Sequence, residues 1–157
     1  MTESSDAKNF QAEIIRRYDA PMYRAMLEVY GAQIHPGFLE DDDDDIREAA
    51  LRATARLAEL ARIAAGASVL ETACGVGGTA RYLAATRGAR VVATNIARSQ
   101  LAIAGEWTRN TPGAERIRFE FADYHSLPCA DSSFDVYWCQ DSLLFSISFS
   151  MLMKRPT

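Results

Sequence analysis

The segment whose residue types could do chemistry is 69–78, which reads V-L-E-T-A-C-G-V-G-G. An apolar stretch leads into a carboxylate, Glu71, and then into small residues at alternate positions, namely Ala73, Gly75 and Gly77. Glycines permit unusual backbone angles and let main-chain N–H groups approach a ligand closely. The segment therefore predicts a strand–helix turn that binds a ligand through its backbone. The alternative is that the glycines bind nothing and only allow a tight turn between the strand and the helix, since that would produce the same sequence pattern.

Two kinds of nucleotide site compete for this segment. The dinucleotide fingerprint G-x-G-x-x-G would fall on Ala73, Gly75 and Gly78, with its first glycine missing. The other pattern is an acidic residue that closes the strand, followed by small residues at Ala73, Gly75 and Gly77. A carboxylate at Glu71 would repel a pyrophosphate, yet it would suit a cationic or amine-bearing ligand. An NAD-linked oxidoreductase is therefore the disfavoured alternative.

Polar side chains recur where the later strand candidates end. Asn95 follows Gly75 by 20 residues (95 − 75), near the offset of ribose-binding side chains, and its amide can donate to and accept from hydroxyls. Asp123 follows the third strand candidate, and a carboxylate, which only accepts hydrogen bonds, favours an amino-bearing base. Gln140 follows the fourth. Because ligands of parallel sheets bind beyond the carboxyl ends of the strands, these side chains are expected to line one crevice.

The elements that must position these residues follow from hydrophobic spacing and turn residues. Strand candidates cover 68–72, 90–94, 117–121 and 134–139, and helix candidates cover 79–86 and about 97–110. Alternation of this kind is typical of βαβ units. The fold class predicted is α/β, a Rossmann-like, doubly wound parallel sheet.

Helical spacing dominates the N-terminal third of the chain. It predicts two helical pieces broken near Pro21, with a stop at Gly31. The acidic run 41–45 ends in Asp45, a candidate N-cap with Glu48 as its capping-box partner. The helix predicted to follow, about 46–64 and ended by Gly66, would bury Ile46, Ala50, Ala53, Leu57, Leu60 and Ala64. The predicted organisation is a helical lid over 1–45, a core over 46–145 and an apolar tail over 146–157.

Composition restricts the class of protein. The 157 residues carry a net charge of −4 with a pI near 5.2, which gives no electrostatic reason to expect nucleic acid. The three cysteines show neither C-x-x-C pairing nor a histidine at metal-ligand spacing, so no metal is predicted. The start of the chain lacks a secretory core, and no stretch reaches the ~20 apolar residues of a membrane span. A cytoplasmic protein without a membrane partner is expected.

The chain resembles the class I S-adenosylmethionine-dependent methyltransferases. The stretches that carry the resemblance are VLETACGVGGTARYLA, VVATNIARSQLAIA and FEFADYHSLPCADSSFDVYWCQDSLL. The N-terminal YDAPMYRAMLEVYGAQIHPGF is similar to the entry segment of the sarcosine/dimethylglycine N-methyltransferases and related small-molecule enzymes. The resemblance covers most of residues 15–145. It implies S-adenosylmethionine as cofactor and S-adenosylhomocysteine as product.

Site residues follow from the resemblance, position by position. It implies that the methionine part of the cofactor is held by Glu71, Ala73, Gly75 and Gly77, the ribose by Asn95 and Ile96, and the adenine by Asp123 and Tyr124. Gln140 would lie near the methyl sulfonium, and His35 and Tyr23 would belong to the lid and are the candidate catalytic residues. Two departures are that Ala73 replaces a glycine and Glu71 the commoner aspartate.

The resemblance ends after Leu144, where an apolar, weakly charged tail begins. We therefore expect a truncated methyltransferase whose fourth strand is left at a sheet edge, where exposed edges promote association. The predicted function is methyl transfer to a small-molecule acceptor, with an amine nitrogen preferred. The alternative is a catalytically inactive cofactor-binding or interaction fragment. The expected partner is the small-molecule substrate, with self-association through the fourth strand and the tail.

Overall fold

The computed structural model describes residues 5–35, 37–39 and 45–142. Five helices and four strands follow one another along the chain: α1 Ser5–Asp19, α2 Pro21–Tyr30, α3 Ile46–Leu60, β1 Ser68–Thr72, α4 Gly78–Arg87, β2 Arg90–Asn95, α5 Arg98–Thr108, β3 Ile117–Phe121 and β4 Val136–Trp138, with a short 3₁₀ turn at Ala114–Arg116. The predictions made for Asp41–Asp44 and for the tail 146–157 lie outside the described residues.

The four strands form one parallel sheet in the order β3-β2-β1-β4. β1 lies in the centre, and its Glu71 is level with Ala93 of β2 and Trp138 of β4. The carboxyl ends of the strands therefore meet at one edge of the sheet, which is where a ligand binds in an open parallel sheet. The predicted α/β class and parallel sheet are confirmed, and β4 is an edge strand within the described part of the chain.

The main core lies between the sheet and its flanking helices. Helix α4 packs on β2 and α5 packs on β3, while α3 contacts α4. The fully buried members of this core include Val69, Ala80, Leu83, Val91 and Ala93. Strands buried on both faces account for the near-continuous apolar runs of β1 and β2.

The N-terminal helices break as predicted, since α1 ends at Asp19 and Pro21 opens α2 at a position where its missing N–H costs no hydrogen bond. Gly31 caps α2 with a φ of 70°, a left-handed angle that suits glycine. Among the described helices, none has the length and apolar character needed to cross a bilayer.

Helix α3 begins as predicted and ends earlier. The Asp45 side chain accepts hydrogen bonds from the N–H groups of Arg47 (2.7 Å) and Glu48 (3.3 Å), which makes it an N-cap. The helix ends at Leu60 rather than Ala64, and Gly66 lies in the turn before β1 instead of ending the helix.

The predicted buried face of α3 was largely wrong. Ala50 and Ala53 are buried, but Ile46, Leu57, Leu60 and Ala64 are exposed. The face that packs inward consists of small side chains: Ala49, Ala50, Ala53, Thr54 and Ala58. The reason is a close backbone approach, since a Cβ added to Gly37 would lie 2.2 Å from the Ala49 carbonyl carbon. A leucine on this face would have no room.

Candidate active site

The glycine loop, residues 73–77, turns the chain from β1 into α4. Ala73, Gly75 and Gly77 all have left-handed φ angles, of 53°, 54° and 76°. The Gly77 N–H closes the turn by donating to the Cys74 carbonyl (2.9 Å), and the Cys74 N–H ties the loop to β2 by donating to the Thr94 carbonyl (3.0 Å). A left-handed conformation costs a residue with a Cβ about 1–2 kcal/mol. The loop is therefore strained at Ala73, where the usual glycine is missing.

Gly77 and Gly78 allow other parts of the chain to approach the loop. A Cβ on Gly77 would lie 2.7 Å from the Phe119 ring, and a Cβ on Gly78 would lie 2.3 Å from the Ala32 carbonyl oxygen. Helix α4 starts here with Gly77 as its N-cap, and the N-cap residue makes no side-chain hydrogen bond to the helix. A helix start of this kind favours an anionic group such as a carboxylate.

Glu71 is a buried carboxylate beside the loop, with 4% of its surface exposed. Its Oε2 atom is buried and has no hydrogen-bond partner among the described residues. Burial raises the pKa of Glu71 to about 8, although the charge of Arg81 and the Ala80 N–H oppose the rise. An unpaired carboxylate is costly in such a place. A cationic ligand group would relieve that cost.

Asn95 at the end of β2 is buried and binds the protein itself. Its Nδ2 donates to the Gly75 carbonyl (3.2 Å) and to Gln100 Oε1 (2.6 Å), and its Oδ1 accepts from the Ala97 N–H (3.1 Å). Asn95 thereby fixes the glycine loop relative to β2. The next residue, Ile96, is half-buried. Their contacts with a ribose stay predictions.

Asp123, after β3, lies beneath helix α1. Its Oδ1 accepts from the His125 N–H (2.9 Å) and lies 2.9 Å from His125 Nδ1, while its Oδ2 accepts from the Gln11 amide. The Tyr124 ring contacts the His125 ring at 4.4 Å between centroids. Burial, followed by the neighbouring Cys139 and Asp123, raises the pKa of Tyr124 to about 12. The carboxylate predicted to contact the adenine is thus hydrogen-bonded to the side-chain amide of Gln11 in α1.

Tyr23 of α2 packs over the glycine loop. With Leu27 and Val76 it forms a small buried cluster, and its hydroxyl lies 3.7 Å from the position of a Cβ on Gly75. Its ring meets the Tyr18 ring edge-on at 5.1 Å. Burial raises the pKa of Tyr23 far above its ordinary value, so its hydroxyl stays neutral. Tyr23 can donate a hydrogen bond here, but it is no base.

His35 and Gln140 belong to a hydrogen-bonded group that we call the polar cluster: Gln33, His35, Thr54 and Gln140. Thr54 Oγ1 donates to Gln33 Oε1 (2.6 Å), which lies 3.0 Å from His35 Nε2. Gln140 Nε2 is 3.1 Å from both His35 ring nitrogens, and Gln140 Oε1 is 3.4 Å from Thr54 Oγ1. The 31–35 loop is thereby joined to α3 and to the end of β4.

The structure brings the candidate residues into three neighbouring groups. Glu71 and Asn95 surround the glycine loop, Asp123 and Tyr124 lie below α1, and His35 meets Gln140. Sequence reasoning missed the three partners Gln11, Gln33 and Thr54. Thr54 had a detectable signal, since it lies four residues after the buried Ala50 and so shares its helix face. No group of three or more metal-binding side chains occurs among the described residues.

Comparison with known proteins identifies a family. The methyltransferase domain family matches residues 69–153, a range that extends past Leu144. Methyltransferase GfsG of Streptomyces halstedii is 36% identical over 150 residues, which are 93% of this chain and 53% of that protein. The 27-O-demethylrifamycin SV methyltransferase of Amycolatopsis mediterranei is 33% identical over 132 residues, 83% of this chain and 48% of its own. The glycine/sarcosine/dimethylglycine N-methyltransferase of Actinopolyspora halophila is 34% identical over 127 residues, 81% of this chain and 22% of its own.

Solved structures share the fold. A candidate sarcosine dimethylglycine methyltransferase from Galdieria sulphuraria superposes with a TM-score of 0.73 at 31% identity, over 80% of this chain and 49% of that chain. The [4+2]-cyclase SpnF also gives a TM-score of 0.73, at 29% identity, over 80% of this chain and 47% of its own. Proteins with different named reactions are thus equally similar in backbone.

The chain spans about half the length of the first two relatives it matches. The family match nevertheless covers the glycine loop, the later strand ends and β4, which carry the candidate cofactor-binding residues. The chain therefore belongs to the methyltransferase domain family, within the class I S-adenosylmethionine-dependent methyltransferases.

Proposed function

We propose that the protein transfers a methyl group from S-adenosylmethionine to a small-molecule acceptor, with an amine nitrogen as the acceptor atom. The observation that carries the proposal is the glycine loop beside the buried Glu71, whose Oε2 atom has no hydrogen-bond partner among the described residues. The family match supports methyl transfer. The acceptor atom is our own inference.

The residues present fit S-adenosylmethionine. The Glu71 Oε2 atom, which has no hydrogen-bond partner among the described residues, suits the ligand's ammonium group, and the N-terminus of α4, which lacks a side-chain cap, suits its carboxylate. The residues that would hold the cofactor are those predicted: Glu71, Ala73, Gly75 and Gly77 for the methionine part, Asn95 and Ile96 for the ribose, Asp123 and Tyr124 for the adenine, and Gln140 near the sulfonium. For the adenine amine to reach Asp123, the Gln11 amide must leave Oδ2.

The chemistry of the cofactor determines what the chain must do. A bound sulfonium is a methyl donor that needs no further activation. The protein therefore mainly aligns the acceptor with the methyl group and excludes water. Tyr23 and the 31–35 loop cover the glycine loop, so they are placed to exclude water from the cofactor.

An amine acceptor is favoured over a hydroxyl because it needs no strong base. A neutral amine attacks with its lone pair, whereas a hydroxyl must lose its proton during attack. Within the polar cluster, both ring nitrogens of His35 lie within hydrogen-bond distance of amide groups of Gln33 and Gln140. N-methyltransferases of glycine, sarcosine and dimethylglycine among the relatives support this choice, while the rifamycin relative is named for an oxygen acceptor.

Calorimetry of the full chain with S-adenosylmethionine, S-adenosylhomocysteine and NAD tests the cofactor. We expect binding of both adenosyl ligands and none of NAD; failure of both would overturn the proposal. A methyl-transfer assay on a panel of small amines and alcohols then tests the acceptor. Turnover of alcohols alone would refute the amine assignment. Binding without any turnover would favour an inactive cofactor-binding protein.

Two further expectations stay proposals. We propose self-association through the edge of β4 and the apolar tail 146–157, which size-exclusion chromatography at several concentrations tests directly. A concentration-independent monomer would contradict it. We also propose a cytoplasmic location, supported by three free cysteines, two of which, Cys129 and Cys139, are not fully buried. Subcellular fractionation would test this assignment.

A further inference from the structure

We propose that Thr54 is a positioning residue, which sets the His35 ring and, through it, the Gln140 amide at the mouth of the crevice. The inference rests on the proposed function, since Gln140 matters only if the methyl donor binds there. Thr54 acts from the buried face of α3 and was not among the residues expected to touch the cofactor or the acceptor.

The acceptor Gln33 Oε1 favours one arrangement of protons in the polar cluster, although Gln140 Nε2 (3.1 Å) and Thr54 Oγ1 (3.2 Å) also lie near His35 Nε2. Because Gln33 Oε1 can only accept, we infer that His35 Nε2, 3.0 Å away, carries the proton and donates to it. His35 Nδ1 is then unprotonated and accepts from Gln140 Nε2 at 3.1 Å. This assigns the Nε2–H tautomer to His35 from its partners. The ring serves as a link between the 31–35 loop and β4.

Thr54 holds that arrangement from the buried side. Its side chain is fully buried, and its hydroxyl donates to Gln33 Oε1 at 2.6 Å. Thr54 Oγ1 also lies 3.2 Å from His35 Nε2 and 3.4 Å from Gln140 Oε1, so the hydroxyl contacts every other member of the polar cluster. Without it, the partly buried amides of Gln33 and Gln140 would lose a partner on the side that faces α3.

Packing alone does not require a threonine at this position. The other buried residues on this face of α3 are Ala49, Ala50, Ala53 and Ala58. A valine has nearly the shape of a threonine and would fill the same space, but it could not bind Gln33. Thr54→Val therefore removes the hydroxyl with little change in packing, and Thr54→Ser restores the hydroxyl with a smaller side chain.

Thr86 offers a matched control. Its hydroxyl donates to the carbonyl of Tyr82, four residues earlier in α4, at 2.7 Å, whereas the Thr54 hydroxyl, whose proton goes to Gln33, lies 3.4 Å from the equivalent carbonyl of Ala50. Thr86 is exposed on α4 and away from the polar cluster. Thr86→Val therefore makes the same change of side chain on a helix without touching the polar cluster.

Three measurements on the full chain test the proposal. S-adenosylhomocysteine binding by calorimetry should weaken about three- to tenfold in Thr54→Val, recover in Thr54→Ser and stay unchanged in Thr86→Val. Amide exchange of the 31–35 loop should accelerate by a similar factor only in Thr54→Val. Nitrogen NMR at mildly alkaline pH should report the Nε2–H tautomer for His35 in the wild type and a changed ring signal in Thr54→Val.

The outcomes separate this inference from the proposed function. If the wild type does not bind S-adenosylhomocysteine, the proposed function fails, and exchange and NMR still decide whether Thr54 holds the polar cluster. If the wild type binds and Thr54→Val binds equally well with an unchanged 31–35 loop, Thr54 is not a positioning residue. An Nδ1–H tautomer in the wild type would also overturn the proposal. Loss of stability without loss of affinity would reduce Thr54 to a packing residue.

Discussion

Replacing Gly78 by alanine tests whether the 31–35 loop is docked on the start of α4. A Cβ at this position would lie 2.3 Å from the Ala32 carbonyl oxygen and 2.7 Å from Gln33 Cγ. The Ala32 contact is with backbone, so the clash cannot be relieved by turning a side chain. The loop must move away from the helix, and Ala32 and Gln33 are the residues displaced first.

The size of the displacement follows from the distances. Restoring an ordinary 3.4 Å contact requires about 1.1 Å of movement (3.4 − 2.3). The same movement would stretch the 2.6 Å bond between Thr54 and Gln33 to about 3.7 Å (2.6 + 1.1), which is no longer a hydrogen bond. Inserting a methyl group into a packed site costs about 1–3 kcal/mol. For a chain of this size that lowers the melting temperature by roughly 2–12 °C.

Gly105→Ala is the matched control. Gly105 lies inside α5, and a Cβ there would meet nothing within 4 Å. The substitution should stabilise the protein by about 0.5–1 kcal/mol, because alanine favours a helix more than glycine does. Thermal unfolding and amide exchange of residues 31–35 are measured for both variants. If Gly78→Ala melts no lower than the wild type and leaves the loop protected, the docking described here is wrong.

Three further substitutions probe the crevice. Ala73→Gly should relieve about 1–2 kcal/mol of left-handed strain against an entropic cost of about 0.5–1 kcal/mol, so urea unfolding should show a gain of up to roughly 1.5 kcal/mol; a loss would contradict the strain. The Glu71→Gln variant tests the buried carboxyl, because the pKa of Glu71 is about 8 in the folded wild type and about 4.5 in the unfolded chain. Between these values the folded wild type holds a proton that the unfolded chain releases, so the stability of the wild type falls relative to the variant as pH rises from 4.5 to 8. Parallel stability curves over that range would refute the buried carboxyl. Asn95→Ala leaves the Gly75 carbonyl and Gln100 unpaired, which should cost about 2–4 kcal/mol in chemical denaturation, and a change below about 0.5 kcal/mol would show that these bonds are unimportant.

Most of the sheet could be predicted because its sequence pattern is local. β1 and β3 have the bounds that hydrophobic spacing and turn residues indicate, since each strand is flanked by small or turn-forming residues. The glycines at positions 75 and 77 likewise indicated the left-handed turn that the structure has there. The position of the crevice at the carboxyl ends of the strands then follows from the geometry of parallel sheets.

The parts that failed depend on long-range packing. The face that α3 buries was misjudged because hydrophobicity favoured Leu57 and Leu60, whereas the close approach of Gly37 admits only small side chains. The contact of Gln11 with Asp123 joins residues 112 positions apart, and no local sequence pattern predicts it. The bonds of the Asn95 amide to Gly75 and Gln100 were not foreseen either, and its contact with a ribose stays a prediction.

The N-terminal segment touches the crevice in three places: Gln11 on Asp123, Tyr23 over Gly75 and the 31–35 loop on Gly78. A ligand enclosed between these contacts and the glycine loop can leave only after the segment lifts. Its residence time is then governed by how often the segment opens, rather than by the strength of its own contacts. Under the proposed function, exchange of product for fresh cofactor would require the same opening.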